Sequence, residues 1–146
     1  MKKRIAIYLR VSSSGQTVKS QRAAINSWLR KQAGLSRSKA IEFVDDGVSG
    51  DSLERPAFRE LTAAIERREV DCVICFRLDR LSRSLRDGVA LLCDWLDKGI
   101  RVAAVSQGHD FSGQTGKLIA SVLFSVAEME QTARRERQAA GIAIAK

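Results

Sequence analysis

Histidine is almost absent from this chain, and its scarcity disfavours one class of enzyme. The one histidine, His109, lies in the polar segment SQGHDFSGQ, where a histidine is usually solvated. A Ser-His-Asp triad needs a histidine held beside the nucleophilic serine. A hydrolase that uses such a triad is therefore disfavoured.

Cysteine is also scarce, with only Cys72, Cys75 and Cys93. The first two form a C-x-x-C string inside VDCVICF, a predicted strand in which residues three apart point to opposite faces. No second C-x-x-C pair completes a zinc site. We therefore predict three core thiols and no metal site.

The chain has no long hydrophobic run. A membrane-spanning helix needs about 20 consecutive apolar residues, which no segment approaches. The N-terminus, MKKRIAIYLR, has a basic start and an apolar stretch, but the stretch is short and Arg10 follows it, so we reject a signal peptide. We expect a cytoplasmic protein with no membrane partner.

Positive charge, in contrast, is abundant. The chain has 25 Lys and Arg against 17 Asp and Glu, a formal net charge of +8. Such an excess favours a polyanionic partner, nucleic acid first. A generally basic, soluble surface would explain the same composition. Clustering has to decide between the two, and four arginines do cluster in FRLDRLSRSLR: Arg77, Arg80, Arg83 and Arg86.

Four apolar, β-branched runs alternate with segments of helical period. The runs are Ile5–Leu9, Ala40–Val44, Val70–Phe76 and Ile100–Val105. This alternation predicts one α/β domain with a mostly parallel sheet of at least four strands flanked by helices. The predicted loops Ser12–Thr17, Gly47–Glu54 and Ser106–Thr115 then gather at the carboxyl edge of the sheet, where the arginine cluster also emerges.

A long helix is predicted to follow the sheet, because no Gly or Pro interrupts the chain from Gly116 to about Ala140. Its helical spacing defines an apolar stripe: Leu118, Ile119, Val122, Val126, Met129 and Ala133. Leu123, Phe124 and Ala127 widen this stripe, and the basic tail ARRERQ follows it. A helix that only covers the sheet would explain the stripe but not its width, so we favour a second subunit as its partner.

The first strand ends in LRVSSS, where residues i and i+2 share a face. Arg10 and Ser12 are therefore expected to point the same way. A serine hydroxyl needs a base or a charge-neutralised electrophile, and clustered guanidinium groups neutralise a phosphoryl transition state. Serine with these arginines favours attack on a phosphodiester, although RLSRSLR by itself could be a solvated basic helix start.

Four motifs together resemble the serine recombinases, the resolvase/invertase group. They are YLRVSSSGQTVKSQ, DDGVSGDSLERPAF, FRLDRLSRS and EMEQTARRER, in the order and approximate spacing of that family. The resemblance covers essentially the whole chain. It implies the catalytic domain of a site-specific DNA recombinase that acts through a covalent 5′-phosphoserine intermediate.

The resemblance also implies roles for single residues. Ser12 matches the nucleophile, and Arg10, Arg80 and Arg83 match the arginines around the scissile phosphate. Asp79 matches an aspartate proposed to assist proton transfer or to organise those arginines. The remaining matches are Gln21 on the first helix, Ser49 and Arg55 in a loop that helps to assemble the site, and Gln16, Arg134, Glu136 and Arg137 as supporting or DNA-binding residues.

The family needs no metal or nucleotide cofactor, and its partner is double-stranded DNA. The resemblance implies a homodimer and homotetramer built through Leu118–Ala133. We expect residues 1–112 to form the catalytic core and residues 113–146 the helix for oligomerisation and DNA approach. The family's C-terminal DNA-binding domain is absent from this sequence, so we expect a catalytic fragment.

Two other hypotheses stay open at this point. The first is a catalytically silent DNA-binding or assembly module with the same fold. The second is a small α/β phosphohydrolase or nucleotide-binding protein, which is disfavoured because neither G-x-G-x-x-G nor G-x-x-x-x-G-K-[ST] occurs.

Overall fold

The computed structural model describes residues 4–11, 17–46, 55–82 and 85–145. Strands and helices alternate along these residues, as the sequence pattern predicts. The strands are β1 (Ile5–Val11), β2 (Ala40–Asp46), β3 (Cys72–Cys75), β4 (Arg101–Ala104) and β5 (His109–Phe111). The helices are α1 (Val18–Arg30), α2 (Pro56–Glu66), α3 (Leu85–Asp97) and α4 (Gly113–Ala145).

The sheet has the strand order β2-β1-β3-β4-β5. The first four strands are parallel, and β5 pairs antiparallel with β4. This confirms the predicted α/β fold, but the prediction of an unbroken loop over residues 106–115 is wrong. Gly108, at a φ of +66°, makes the turn that sends β5 back along β4. A three-residue strand that begins with two polar residues has no period that a sequence pattern can reveal.

The sheet is buried on both faces because helices pack on both sides of it, and alternate side chains of each strand point to opposite faces. Ala6 and Tyr8 of β1 pack with α2 and α3, whereas Ile5, Ile7 and Leu9 pack with α1. The two faces also separate Cys75 from Cys72, and both cysteines are buried. Cys93 is only partly buried.

Helix α3 buries Val89, Leu92 and Leu96, as its apolar period predicts. It also buries Trp95, which is only 1% exposed. Trp95 stacks near Phe58 of α2, with ring centroids 6.1 Å apart. The indole therefore joins α3 to α2 across one face of the sheet.

Helix α4 is 33 residues long, about 50 Å at 1.5 Å per residue. Gly116 and Ala120 on its first turns are buried, and Leu123 packs against the same core. The apolar stripe lies on another side of the helix. Its large side chains are exposed, by 43% at Ile119 to 71% at Met129, and Ala133 at its end is partly buried. Within the described residues, none of the helices is both long and apolar enough to cross a membrane.

Candidate active site

Arg10 stands at the carboxyl end of β1, an interior strand of the sheet, and is only 7% exposed. It shares the β1 face of Tyr8, and the register with β2 places it opposite Asp45. The register with β3 pairs Tyr8 with Cys75, so its continuation sets Arg10 level with Arg77. The arginine cluster therefore leaves the sheet on the strand next to Arg10, at a spacing of about 4.8 Å.

Gln21 ties α1 to this end of β1. It is fully buried, and its Nε2 donates a hydrogen bond of 3.0 Å to the carbonyl oxygen of Arg10. Its Oε1 is buried and has no hydrogen-bond partner among the described residues. Thr17 caps the helix by accepting a hydrogen bond from the backbone N–H of Ser20 at 3.0 Å. Arg10 and Thr17, which lie on either side of the Ser12–Gln16 segment, are thus each held by a hydrogen bond to α1.

Asp45 lies at the same edge of the sheet, and the sequence analysis did not single it out. Its carboxylate is 2% exposed and accepts hydrogen bonds from the Tyr8 hydroxyl at 2.7 Å and from the N–H groups of Ala57 and Phe58 at 3.0 and 3.1 Å. It therefore caps α2 from a neighbouring strand. Arg55, the residue before Pro56, makes no side-chain cap of its own. Arginine is a poor N-cap residue, so the sequence did indicate that the start of α2 needs a cap from elsewhere in the chain.

Arg55 directs its guanidinium group at protein acceptors. Its Nε and Nη2 donate to the Tyr8 hydroxyl at 3.2 and 3.0 Å. Nη1 donates to the carbonyl of Leu81 at 2.8 Å, and Nη2 also donates to the carbonyl of Arg80 at 3.0 Å. The guanidinium carbon lies 4.0 Å from the centroid of the Phe58 ring. Arg55 thus joins β1 and α2 to the segment that carries Arg80.

The Tyr8 hydroxyl stays protonated in this environment. Burial raises the pKa of Tyr8 far above its ordinary value, and the hydrogen bond to the Asp45 carboxylate raises it further, whereas Arg55 lowers it. The raising effects dominate because a phenolate would lose hydration and face a carboxylate. Tyr8 therefore acts as a donor to Asp45 and as an acceptor for Arg55.

Arg80 closes a short 3-10 turn, Leu78–Arg80, that follows β3. The turn is held by hydrogen bonds from the N–H of Arg80 to the carbonyl of Arg77 and from the N–H of Leu81 to the carbonyl of Leu78. Leu81 is buried and Arg80 is partly buried. Arg80 is therefore presented at the same edge as Arg10.

The structure brings four of the predicted site residues to this edge: Arg10, Gln21, Arg55 and Arg80. Ser12, Gln16, Ser49 and Arg83 lie outside the described residues, as does the side chain of Asp79. Arg134, Glu136 and Arg137 are exposed on the distal half of α4, beyond its core contacts. Their predicted supporting role stays a prediction.

His109 is part of β5, not of a solvated loop as predicted. It is partly buried, and its ring lies 5.5 Å from that of Phe111. Strand β5 is three strands away from β1, about 14 Å at the usual spacing. This separation argues against a triad that joins His109 to a serine at the end of β1.

Comparisons with known proteins identify the family. The family model described as Resolvase, N terminal domain, matches residues 5–146. The Tn1721 transposon resolvase of Escherichia coli is 32% identical over 142 residues, which cover 95% of this chain and 68% of that protein. The DNA-invertase of Escherichia phage P1 is 32% identical over 139 residues, with coverage of 95% and 68%.

A solved structure agrees with these relatives. The N-terminal catalytic domain of TP901-1 integrase matches with a TM-score of 0.72 and 31% sequence identity, over 90% of this chain and 98% of that domain. The chain therefore belongs to the serine recombinases of the resolvase/invertase group and is a catalytic domain of this family of site-specific DNA recombinases.

Proposed function

We propose that Ser12 is the nucleophile and that its Oγ attacks a phosphodiester of double-stranded DNA. The bond from Oγ to phosphorus forms as the bond from phosphorus to the 3′ oxygen breaks, which leaves a 5′-phosphoserine link and a free 3′-hydroxyl. Attack by a 3′-hydroxyl on the phosphoserine reverses the step and rejoins the strand. The energy of the broken bond is conserved, so the cycle requires no high-energy cofactor.

The observation that carries this proposal is the buried guanidinium of Arg10 at the end of β1, two residues before Ser12. Arginine binds phosphate oxygens through paired N–H donors and keeps its charge when buried. Arg80 leaves the adjacent strand at the same edge. With Arg83, these groups would stabilise the charge that builds on the phosphorus in the transition state.

The other predicted site residues have supporting roles in this proposal. Asp79 organises the arginines or transfers a proton, and Gln21 holds the backbone of Arg10. Ser49, Gln16 and Arg55 complete the site. Residues 1–112 would then be the catalytic core, and Arg134, Glu136 and Arg137 on the long helix would approach DNA and support assembly, in the cytoplasm.

Covalent trapping tests the nucleophile. The chain, fused at its C-terminus to a DNA-binding module of known target, is offered a suicide duplex that carries inverted copies of that target. We expect a protein–DNA adduct that Ser12→Ala abolishes. Ser13→Ala and Ser14→Ala are the matched controls, and both should retain the adduct. An adduct mapped to another serine would contradict the assignment, and a fusion without any adduct would favour a catalytically silent assembly module.

We further propose that the chain assembles into dimers and tetramers on DNA through the apolar stripe of α4. The stripe residues from Leu118 to Met129 are exposed, whereas Gly116 and Ala120 of the same helix are buried in the core. Helix α4 therefore has one apolar side for its own domain and another for a partner.

A further inference from the structure

The carboxyl edge of the sheet contains a buried polar network that links four segments of the chain. Asp45 of β2 accepts from Tyr8 of β1, and Tyr8 accepts from Arg55 at the start of α2. Arg55 in turn donates to the carbonyls of Arg80 and Leu81. We propose that Asp45, Tyr8 and Arg55 form a positioning relay that holds the backbone of Arg80 in its reactive place.

The direction of each hydrogen bond in the relay is fixed by the donors and acceptors available. The Tyr8 proton goes to Asp45 at 2.7 Å, so only the lone pairs of the hydroxyl oxygen are left to face Arg55. A guanidinium has donors alone, and its planar fork reaches the hydroxyl and two carbonyls at once. Asp45 is itself fixed by the two N–H groups of α2. The relay therefore begins on a helix end that cannot shift independently.

The segment at the other end of the relay is a short 3-10 turn, Leu78–Arg80. Hydrogen bonds from the N–H groups of Arg80 and Leu81 to the carbonyls of Arg77 and Leu78 close this turn, and a 3-10 turn has poorer hydrogen-bond geometry than an α-helix. The carbonyls of Arg80 and Leu81 point at Arg55, 3.0 and 2.8 Å from its nitrogens. Arg55 therefore sets where the backbone of Arg80 lies.

Placement matters for the reaction because a shift of about 1 Å in a charged group can slow a reaction about 100-fold. In the proposed reaction Arg55 acts through Arg80, as a positioning residue, while Arg80 is the group that would bind the phosphate. The effect on cleavage rests on the proposed function, but the effect on the Arg80 backbone does not.

The first test needs no DNA. Amide hydrogen exchange at Arg80 and Leu81 is measured in the chain itself for Tyr8→Phe and Arg55→Lys. Each variant removes the relay without removing an aromatic ring or a positive charge, and we expect exchange at both amides to accelerate about tenfold or more while β1 and β3 stay protected. If Tyr8→Phe fails to fold, Arg55→Lys carries the same test.

Arg101→Lys is the matched control. Arg101, like Arg55, has its guanidinium near an aromatic ring, 5.6 Å from that of Trp28. It forms an ion pair with Asp110 and sits at the amino edge of the sheet. Its substitution should leave exchange at Arg80 and Leu81 unchanged. Unaltered exchange in Tyr8→Phe and Arg55→Lys would overturn the relay.

The second test measures the rate of adduct formation in the fusion protein at saturating DNA. Each relay variant should slow cleavage about 10- to 100-fold, and the double variant should be no slower than the worse single one, because both changes break the same connection. Arg101→Lys should react at the original rate. Multiplicative losses, or an unchanged rate despite faster amide exchange, would overturn the proposed role.

Ser12→Ala separates this inference from the proposed function. It should abolish the adduct and leave exchange at Arg80 and Leu81 as in the unaltered chain. Suppose that the relay variants accelerate exchange but no serine yields an adduct. The assignment of the nucleophile is then wrong, whereas the role of the relay in holding the Arg80 backbone is supported.

Discussion

At the scale of single residues, buried polar groups define the site more sharply than exposed ones. Arg10, Gln21 and Asp45 are the buried polar or charged residues of the described chain. Burial of a charge is costly unless neighbouring groups compensate for it. Gln21 donates a hydrogen bond to the end of β1, and Asp45 accepts one from the start of α2. These hydrogen bonds compensate for the burial of the two side chains at the edge of the sheet where the chemistry is proposed.

Tyr8 offers a direct measurement at this scale because it is the one tyrosine in the sequence. Its raised pKa means that folding favours the neutral phenol. We expect the tyrosinate absorbance of the folded chain to stay flat through pH 10, and that of the chain in urea to rise there. The associated stability is fully present below pH of about 10 and is lost as the pH rises above it. A normal titration in the folded chain would contradict the buried hydrogen bond to Asp45.

At the scale of elements, the contact between α4 and β5 depends on a glycine. A Cβ at Gly116 would lie 3.0 Å from the backbone carbon of Phe111 and 3.2 Å from its Cα. These are atoms of a paired strand and cannot move aside as a side-chain tip could. The absence of a side chain at Gly116 therefore allows the start of α4 to lie directly against β5.

Gly116→Ala should therefore lower the free energy of unfolding, by about 1–2 kcal/mol, because overpacking outweighs the gain in helix propensity. Urea denaturation followed by circular dichroism measures the change. Gly141→Ala is the matched control, since a Cβ there meets no atom within 4 Å. It should leave stability unchanged or raise it. A stabilised Gly116→Ala would show that α4 can lift away from β5.

At the scale of the whole molecule, the exposed apolar stripe on α4 raises the question of assembly. Val122 is 55% exposed and Met129 is 71% exposed, on a helix that extends beyond the domain core. Apolar surface of this extent on one helix face is typical of an interface between chains. The stripe and Gly116 lie on different sides of the helix. Helix α4 can therefore pack on its own domain and bind a second chain at the same time.

We expect the isolated chain to be a monomer in equilibrium with a weak dimer, and Val122→Lys to shift it fully to the monomer. Sedimentation velocity over a range of concentrations measures this shift. Ser121→Lys adds the same charge one residue away, on a side of the helix outside the stripe, and should leave the dimer intact. A chain that remains monomeric at high concentration, with or without Val122→Lys, would contradict the proposed interface.

Much of the fold could be predicted from the sequence because it depends on local periods. The four parallel strands and the start of α2 at Pro56 follow from apolar runs and helix signals. Strand β5 could not be predicted, because its pairing with β4 depends on a turn at Gly108 and on no pattern of its own. The contact of Trp95 with Phe58 also depends on how α3 packs against α2.

The sequence by itself determined the family, the order of the elements and the arginines that converge on one edge of the sheet, since motifs and periods are properties of neighbouring residues. Only the tertiary structure decided that Asp45 caps α2, that Arg55 binds the carbonyls of Arg80 and Leu81, and which side of α4 stays exposed. The hydrogen bonds among Tyr8, Asp45 and Arg55 join residues that are distant in the chain, and their geometry exists only once strand register and helix packing are set.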